Sequence, residues 1–183
     1  PLLCLQLGVA LLSATPASAA SPIGVEFSEW GFDDRAVPRK FNLLSFEIQN
    51  RIGKPFDGTI RLRRLIGTSP AGAELVQRVY LGPFQKRLVQ FTPYVYDYSE
   101  EWELRWGETL DDAYTVELAR LGIGARVILN DPLSTSSLAS GLRGFREDRF
   151  PRSVIGTDTL LCAAVDHAPR WEKARRDVFR DWL

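Results

Sequence analysis

The chain contains no methionine, a single histidine (His167) and two cysteines, Cys4 and Cys162. Each scarcity closes off a class of protein. One histidine excludes a multi-histidine metal site within the chain. Two cysteines, one of them inside a leader-like segment, leave no pair for an intrachain disulfide, so stability must come from apolar burial. Charge of either sign is not in excess: 23 Lys and Arg balance 23 Asp and Glu. With no long run of one sign, nothing steers the chain to nucleic acid or an anionic membrane surface. No apolar run reaches the roughly 20 residues that a membrane-spanning helix needs.

What is present begins with a leader. Pro1 to Ala19 holds no charge, carries Leu2, Leu3, Leu5, Leu7, Val9, Leu11 and Leu12, and ends in Ala17-Ser18-Ala19, the small-x-small pattern of signal peptidase sites. Residues 1–19 are therefore read as a signal peptide, and the protein as exported to the periplasm or cell envelope. The missing methionine and basic n-region lead us to expect a chain clipped at its start. Cys4 precedes the apolar run, where a lipobox cysteine would not stand. About 160 residues remain, room for one large domain or one and a half small ones.

Residues 20–120 alternate with period two. Val25, Phe27 and Glu29 are expected on one face of a first strand, and Leu44, Phe46 and Ile48 on one face of a second. Asn50 to Gly58 supplies turn chemistry. Ile60 and Leu62, Leu75 to Leu81, Arg87 to Phe91, Trp102 to Trp106 and Tyr114 to Leu118 complete about seven strands at roughly 10-residue spacing. Two packed antiparallel sheets follow. The stretch Phe46-Glu-Ile-Gln-Asn-Arg-Ile-Gly-Lys-Pro-Phe-Asp-Gly-Thr-Ile-Arg-Leu resembles the B–C hairpin of immunoglobulin-like and fibronectin-type accessory domains in bacterial surface proteins. Leu81-Gly-Pro-Phe-Gln-Lys-Arg-Leu-Val is similar to the turn into their next strand. The resemblance implies an immunoglobulin-like β-sandwich and says little of function.

Among the aromatics, Trp102 and Trp106 alternate with Glu101, Glu103 and Arg105, which places them with Phe91 in the core. Tyr94, Tyr96 and Tyr98 stand at spacing two, so three phenols share a face that suits a glycan or a protein partner.

After Leu118 the pattern changes. A glycine-bearing linker leads to Arg126-Val-Ile-Leu-Asn130, then a Ser-rich loop (134–140), a basic irregular segment to Arg152, and a second apolar run, Leu160-Leu-Cys-Ala-Ala-Val165. A helix is expected from Pro169, with Trp171, Ala174, Val178 and Leu183 on its apolar stripe. Strand, crossover, strand, helix opens an α/β domain with a parallel sheet, and residues 121–183 are too few to close one. The order Val-Ile-Leu-Asn-Asp-Pro, Leu-Leu-Cys-Ala-Ala-Val-Asp-His, then the helix, resembles the first half of a class I glutamine amidotransferase-like domain. That resemblance implies a flavodoxin- or amidotransferase-like segment, truncated at Leu183, with any catalytic cysteine and any membrane helices beyond it.

No catalytic set can be assembled from these residues, and no cofactor or metal is implied. Cys162 sits mid-run without a glycine-flanked elbow and reads as a buried thiol. Arg143, Arg146, Arg149 and Arg152, broken by Glu147 and Asp148, read as a salt-bridged surface. Asp131, Asp166 and His167 follow directly on strands and are the candidate ligand-binding residues at the carboxyl edge of the sheet. Alternatively Asp166 caps the helix or its turn. The chain is expected to be a non-catalytic exported envelope module, a spacer or a partner-binding sandwich. An accessory region of a hydrolase or amidotransferase-like enzyme and a carbohydrate-binding sandwich are the alternatives. The implied partner is another envelope protein or a glycan, with membrane contact only through segments beyond this sequence.

Overall fold

The computed structural model describes residues 21–97, 100–107, 110, 112–116, 120–133 and 142–183. The leader, Tyr98 and the Ser-rich loop lie outside the described residues.

Seven strands build two antiparallel sheets, as the alternation predicts. In the first, β1 (Ile23–Trp30) and β7 (Lys86–Phe91) flank β4 (Leu44–Asn50). The second runs in the order β10 (Asp112–Val116), β9 (Glu101–Trp106), β5 (Phe56–Ile66) and β6 (Ser69–Leu81). Leu44, Phe46 and Ile48 meet Ile60, Leu62, Val79, Leu81, Trp102, Leu104 and Trp106 between the sheets. Phe46 is fully buried, and Trp30 meets Trp102 edge-on at 6.3 Å. The Asn50–Gly58 reversal is held by the buried Asn50, whose side-chain amide donates to the carbonyls of Lys54 and Gly82. Two short pairs close the ends: β2 (Arg35–Ala36) with β11 (Arg120–Leu121), and β3 (Lys40–Phe41) with β8 (Tyr94–Val95).

The first strand departs from expectation. Its register slips between Val25 and Phe27. The extra residue of a bulge reverses the phase of everything after it. Val25 packs on the sandwich core, while Phe27 and Glu29 turn outward towards Arg149. Ser28 and Trp30 take the inner side, the Ser28 hydroxyl lying 3.3 Å from the Tyr114 phenol.

Beyond the sandwich lies a three-stranded parallel sheet, β12 (Ala125–Asn130) flanked by β13 (Arg143–Arg146) and β14 (Leu160–Val165), with helix α1 (Lys173–Trp182). The basic segment read as irregular thus contains a strand, too short and charged to show a period. The helix begins at Lys173 rather than near Pro169. Trp171 holds the preceding chain extended by stacking on Phe150 at 4.7 Å and donating its indole N–H to the Glu147 carbonyl. The later start changes the inward face. Arg175, Val178, Phe179 and Trp182 turn in, whereas Ala174 and Leu183 are exposed. Arg175 is buried because its Nε donates to the Phe150 carbonyl at 2.6 Å. Cys162 is exposed, contrary to the buried thiol expected, because its register partner on β12 is the exposed Arg126 and the two share an outward face.

The two units share a core. Phe32 and Leu43, both from the sandwich part of the sequence and both fully buried, pack with Val127, Leu129, Phe145, Phe150 and Leu160. Gly31 delivers Phe32 there. Its φ of +59° suits glycine, and a Cβ would lie 2.5 Å from the Arg35 carbonyl oxygen. Phe46→Ala and Phe32→Ala are each expected to cost about 3–5 kcal/mol in urea unfolding. A loss under about 1 kcal/mol for Phe32→Ala would remove it from the shared core.

Candidate functional site

The carboxyl ends of the three parallel strands form one edge, and each strand runs straight into an acid: Asp131 after β12, Glu147 after β13, Asp166 after β14. His167 ties two of them together. Its Nδ1 lies 2.6 Å from Asp166 Oδ1 and its Nε2 lies 2.8 Å from Glu147 Oε2. The tie crosses the end of the central strand, since β13 and β14 flank β12 on opposite sides. The hydrogen bond to Asp166 first, then that to Glu147, raises the His167 pKa above its ordinary 6.5. When the ring is protonated, both nitrogens donate to carboxylates and no lone pair is left for base chemistry or metal ligation.

Of the three candidate ligand residues, the structure joins Asp166 and His167. Asp131 instead accepts the Leu133 N–H at 2.8 Å, an Asx turn. Asp166 caps no helix, since Glu172 occupies the N-cap position of α1. Glu147, nearly fully buried, is the residue that sequence reasoning passed over as a break in an arginine series. Its Oε1 also accepts the Arg170 N–H at 3.3 Å. The signal that could have found it is its place directly after a strand, hidden because β13 went unread.

The arginines of that series are all paired, as expected. Arg143 and Arg149 reach Glu29 at 3.7 and 3.3 Å, Arg146 reaches Asp148 at 2.7 Å, and Arg152 reaches Glu172 at 2.8 Å. Burial pushes the Glu29 carboxyl pKa up against the opposing pull of Arg149 and Arg143. Arg149 also lies 4.1 Å over the Phe27 ring, a cation–π contact.

Between the sandwich and this arginine segment lies a cleft of about 660 Å³, within the range of ligand sites. One wall is β6 from Leu75 to Val79 and another is β7 from Arg87 to Phe91. The third carries Arg146, Asp148, Arg149, Pro151, Arg152 and Ser153, with Arg175 from the helix. Two amides fix the walls. Gln77 Nε2 donates to the Gln90 carbonyl, and Gln90 Nε2 donates to the Arg149 carbonyl, both at 2.7 Å. Six guanidinium groups line the cleft (Arg78, Arg87, Arg146, Arg149, Arg152 and Arg175) against the carboxylates of Glu47 and Asp148.

The tyrosine patch packs on itself. Tyr94 meets Phe41 edge-on at 5.2 Å and Tyr96 at 4.7 Å, and the Arg64 guanidinium lies 4.7 Å over the Tyr96 ring. Tyr96 is still exposed.

No family model matches the chain, and no curated protein matches it. Among solved structures, a Paenibacillus cycloisomaltooligosaccharide glucanotransferase, complexed with cycloisomaltoheptaose, is similar over 58% of this chain at 17% identity and a TM-score of 0.41. The chain spans 16% of that enzyme. The CARDB domain of a Pyrococcus furiosus protein is similar over 55% of this chain and 94% of its own, at 15% identity and a TM-score of 0.39.

The His167 tie carries a pH signature. Because the folded pKa is raised, its contribution is full below about 6.5 and is lost as pH rises through the folded value. Melting temperature should therefore fall more across pH 6 to 9 in the native protein than in His167→Gln. Parallel curves would show that the tie contributes nothing.

Proposed function

We propose that the chain is a non-catalytic module of an exported envelope protein, which binds a partner in the cleft between its sandwich and its parallel sheet. The cleft carries this reading: two units with a shared core form its walls, Gln77 ties β6 to β7, and Gln90 ties β7 to the arginine segment. Binding needs such preorganisation, because ordering the walls on association would cost free energy. The reactive side chains support the same reading. His167 is occupied at both ring nitrogens, and exposed Cys162 has no hydrogen-bond partner among the described residues to act as its base. The uncharged leucine-rich leader supports export.

A second reading, an accessory region of a hydrolase or amidotransferase-like enzyme, draws on the parallel sheet. Its first strand is central and its next two flank it, the 2-1-3 opening of flavodoxin-like sheets. A glycine-flanked cysteine or serine elbow in sequence following Leu183 would favour it. For a glycan platform the aromatic cluster is less suited, since its rings meet edge to face and offer no flat stack.

A photo-reactive p-benzoylphenylalanine at position 76, on the β6 wall, should give one discrete adduct in the envelope fraction of the source cells. The same residue at position 123, exposed in the linker, should not. No adduct from position 76 in a protein of unchanged melting temperature would contradict the binding reading.

A further inference from the structure

Resting on that reading, we propose that the partner of the cleft is an extended acidic peptide segment that pairs with the free edge of β6. The strand is 13 residues long and pairs on one side only, with β5. Its other edge faces the cleft over five consecutive residues, Leu75 to Val79, about 17 Å of strand at 3.4 Å per residue.

The backbone groups on that edge can be assigned. The Tyr80 carbonyl accepts a hydrogen bond from Arg87 of β7 at 3.3 Å, so it points away from β5. In an antiparallel strand the N–H and C=O of one residue point the same way and the direction alternates. Val76 and Arg78 therefore also present their backbone groups to the cleft, in a stretch where the β5 register is unbroken. Free edges are usually blunted by proline, a bulge or a covering segment. Between Leu75 and Leu81 the strand has neither proline nor bulge.

Charge selects what can pair there. Arg78 is held by Asp57 through two hydrogen bonds and Arg149 by Glu29, both acids standing outside the cleft lining. A guanidinium braced from behind keeps further N–H donors for a carboxylate in front. Arg87 forms no ion pair among the described residues, and its bond to Tyr80 is one that an incoming strand would take over, releasing the guanidinium to the ligand. Those bracing acids nearly neutralise the neighbourhood, so recognition is by short hydrogen bonds rather than a long-range field. The same arginines disfavour a second copy of β6, which would set Arg78 against its like. Exposed Val76 and half-buried Leu75 and Leu88 supply apolar contact for alternate side chains. Main-chain pairing with alternating pockets is the physics of strand addition.

The test is a fluorescence-anisotropy titration with a fluorescein-labelled octapeptide of alternating Glu and Val. We expect saturable binding that weakens at least tenfold when alternate peptide nitrogens are methylated. Arg87→Glu should weaken it at least tenfold, and Arg126→Glu, exposed on β12 away from the cleft, should leave it unchanged. A Lys-Val octapeptide should not bind. No saturation at millimolar peptide, or equal binding of the methylated peptide, overturns the proposal. So does full displacement by polygalacturonate or inorganic phosphate, which would show a site for anions of any kind. If the peptide fails while position 76 still gives its photo-adduct, the ligand class is wrong and the binding module stands. If both fail, both readings fall.

Discussion

Everything beyond the sandwich depends on two side chains that leave it. Phe32 and Leu43 are fully buried in the core of the parallel-sheet unit, although they belong in sequence to the sandwich. Phe32 lies 4.8 Å from the Phe145 ring and 6.1 Å from the Phe150 ring. Burying each such side chain contributes roughly 1.5–3 kcal/mol. A three-stranded parallel sheet with one short helix cannot cover itself, so the sandwich supplies part of its wall. The edge strand β14 shows the shortfall, since Leu161 and Val165 remain exposed although Val165 pairs with the buried Leu129.

Polar contacts set the angle that this packing leaves open. Asp158 accepts from Lys40 Nζ and the Phe41 N–H, Glu29 binds Arg149, and the Gln90 side chain reaches the Arg149 carbonyl. These contacts lie between segments more than 50 residues apart in sequence. The β1 bulge makes one of them possible by turning Glu29 outward, where an unbroken strand would have kept it on the side of Val25. The cleft is what remains between the arginine segment and the edges of β6 and β7. Its shape follows from the shared core and its chemistry from the arginines.

The sandwich was legible because period two over β4, β5, β7 and β9 reports one buried face per strand. Phe46, Leu62, Val89 and Trp102 all lie where alternation puts them. What escaped was whatever breaks a period or acts at a distance. A bulge at Glu26 leaves no compositional mark. β13 is four residues with two arginines, and no local rule separates it from loop. The helix start was misplaced because Pro169 suits a first turn, while the stacking of Trp171 on Phe150 is a tertiary contact. An apolar run does not show which of its positions face the core, and Cys162 falls beside the exposed Arg126. Of the candidate site, sequence gave Asp166 and His167 as neighbours at a strand end. It did not give Glu147, whose role depends on the strand before it.

The shared core makes a direct demand on cooperativity. If Phe32 and Leu43 weld the units, amides of β4 and β12 should exchange with solvent deuterium through one common opening, with equal free energies and equal denaturant dependence. Phe32→Ala should lower both together. Exchange of β12 and β14 at a much lower opening energy than β4, unaffected by Phe32→Ala, would mean that the units fold apart and that the cleft between them has no fixed shape.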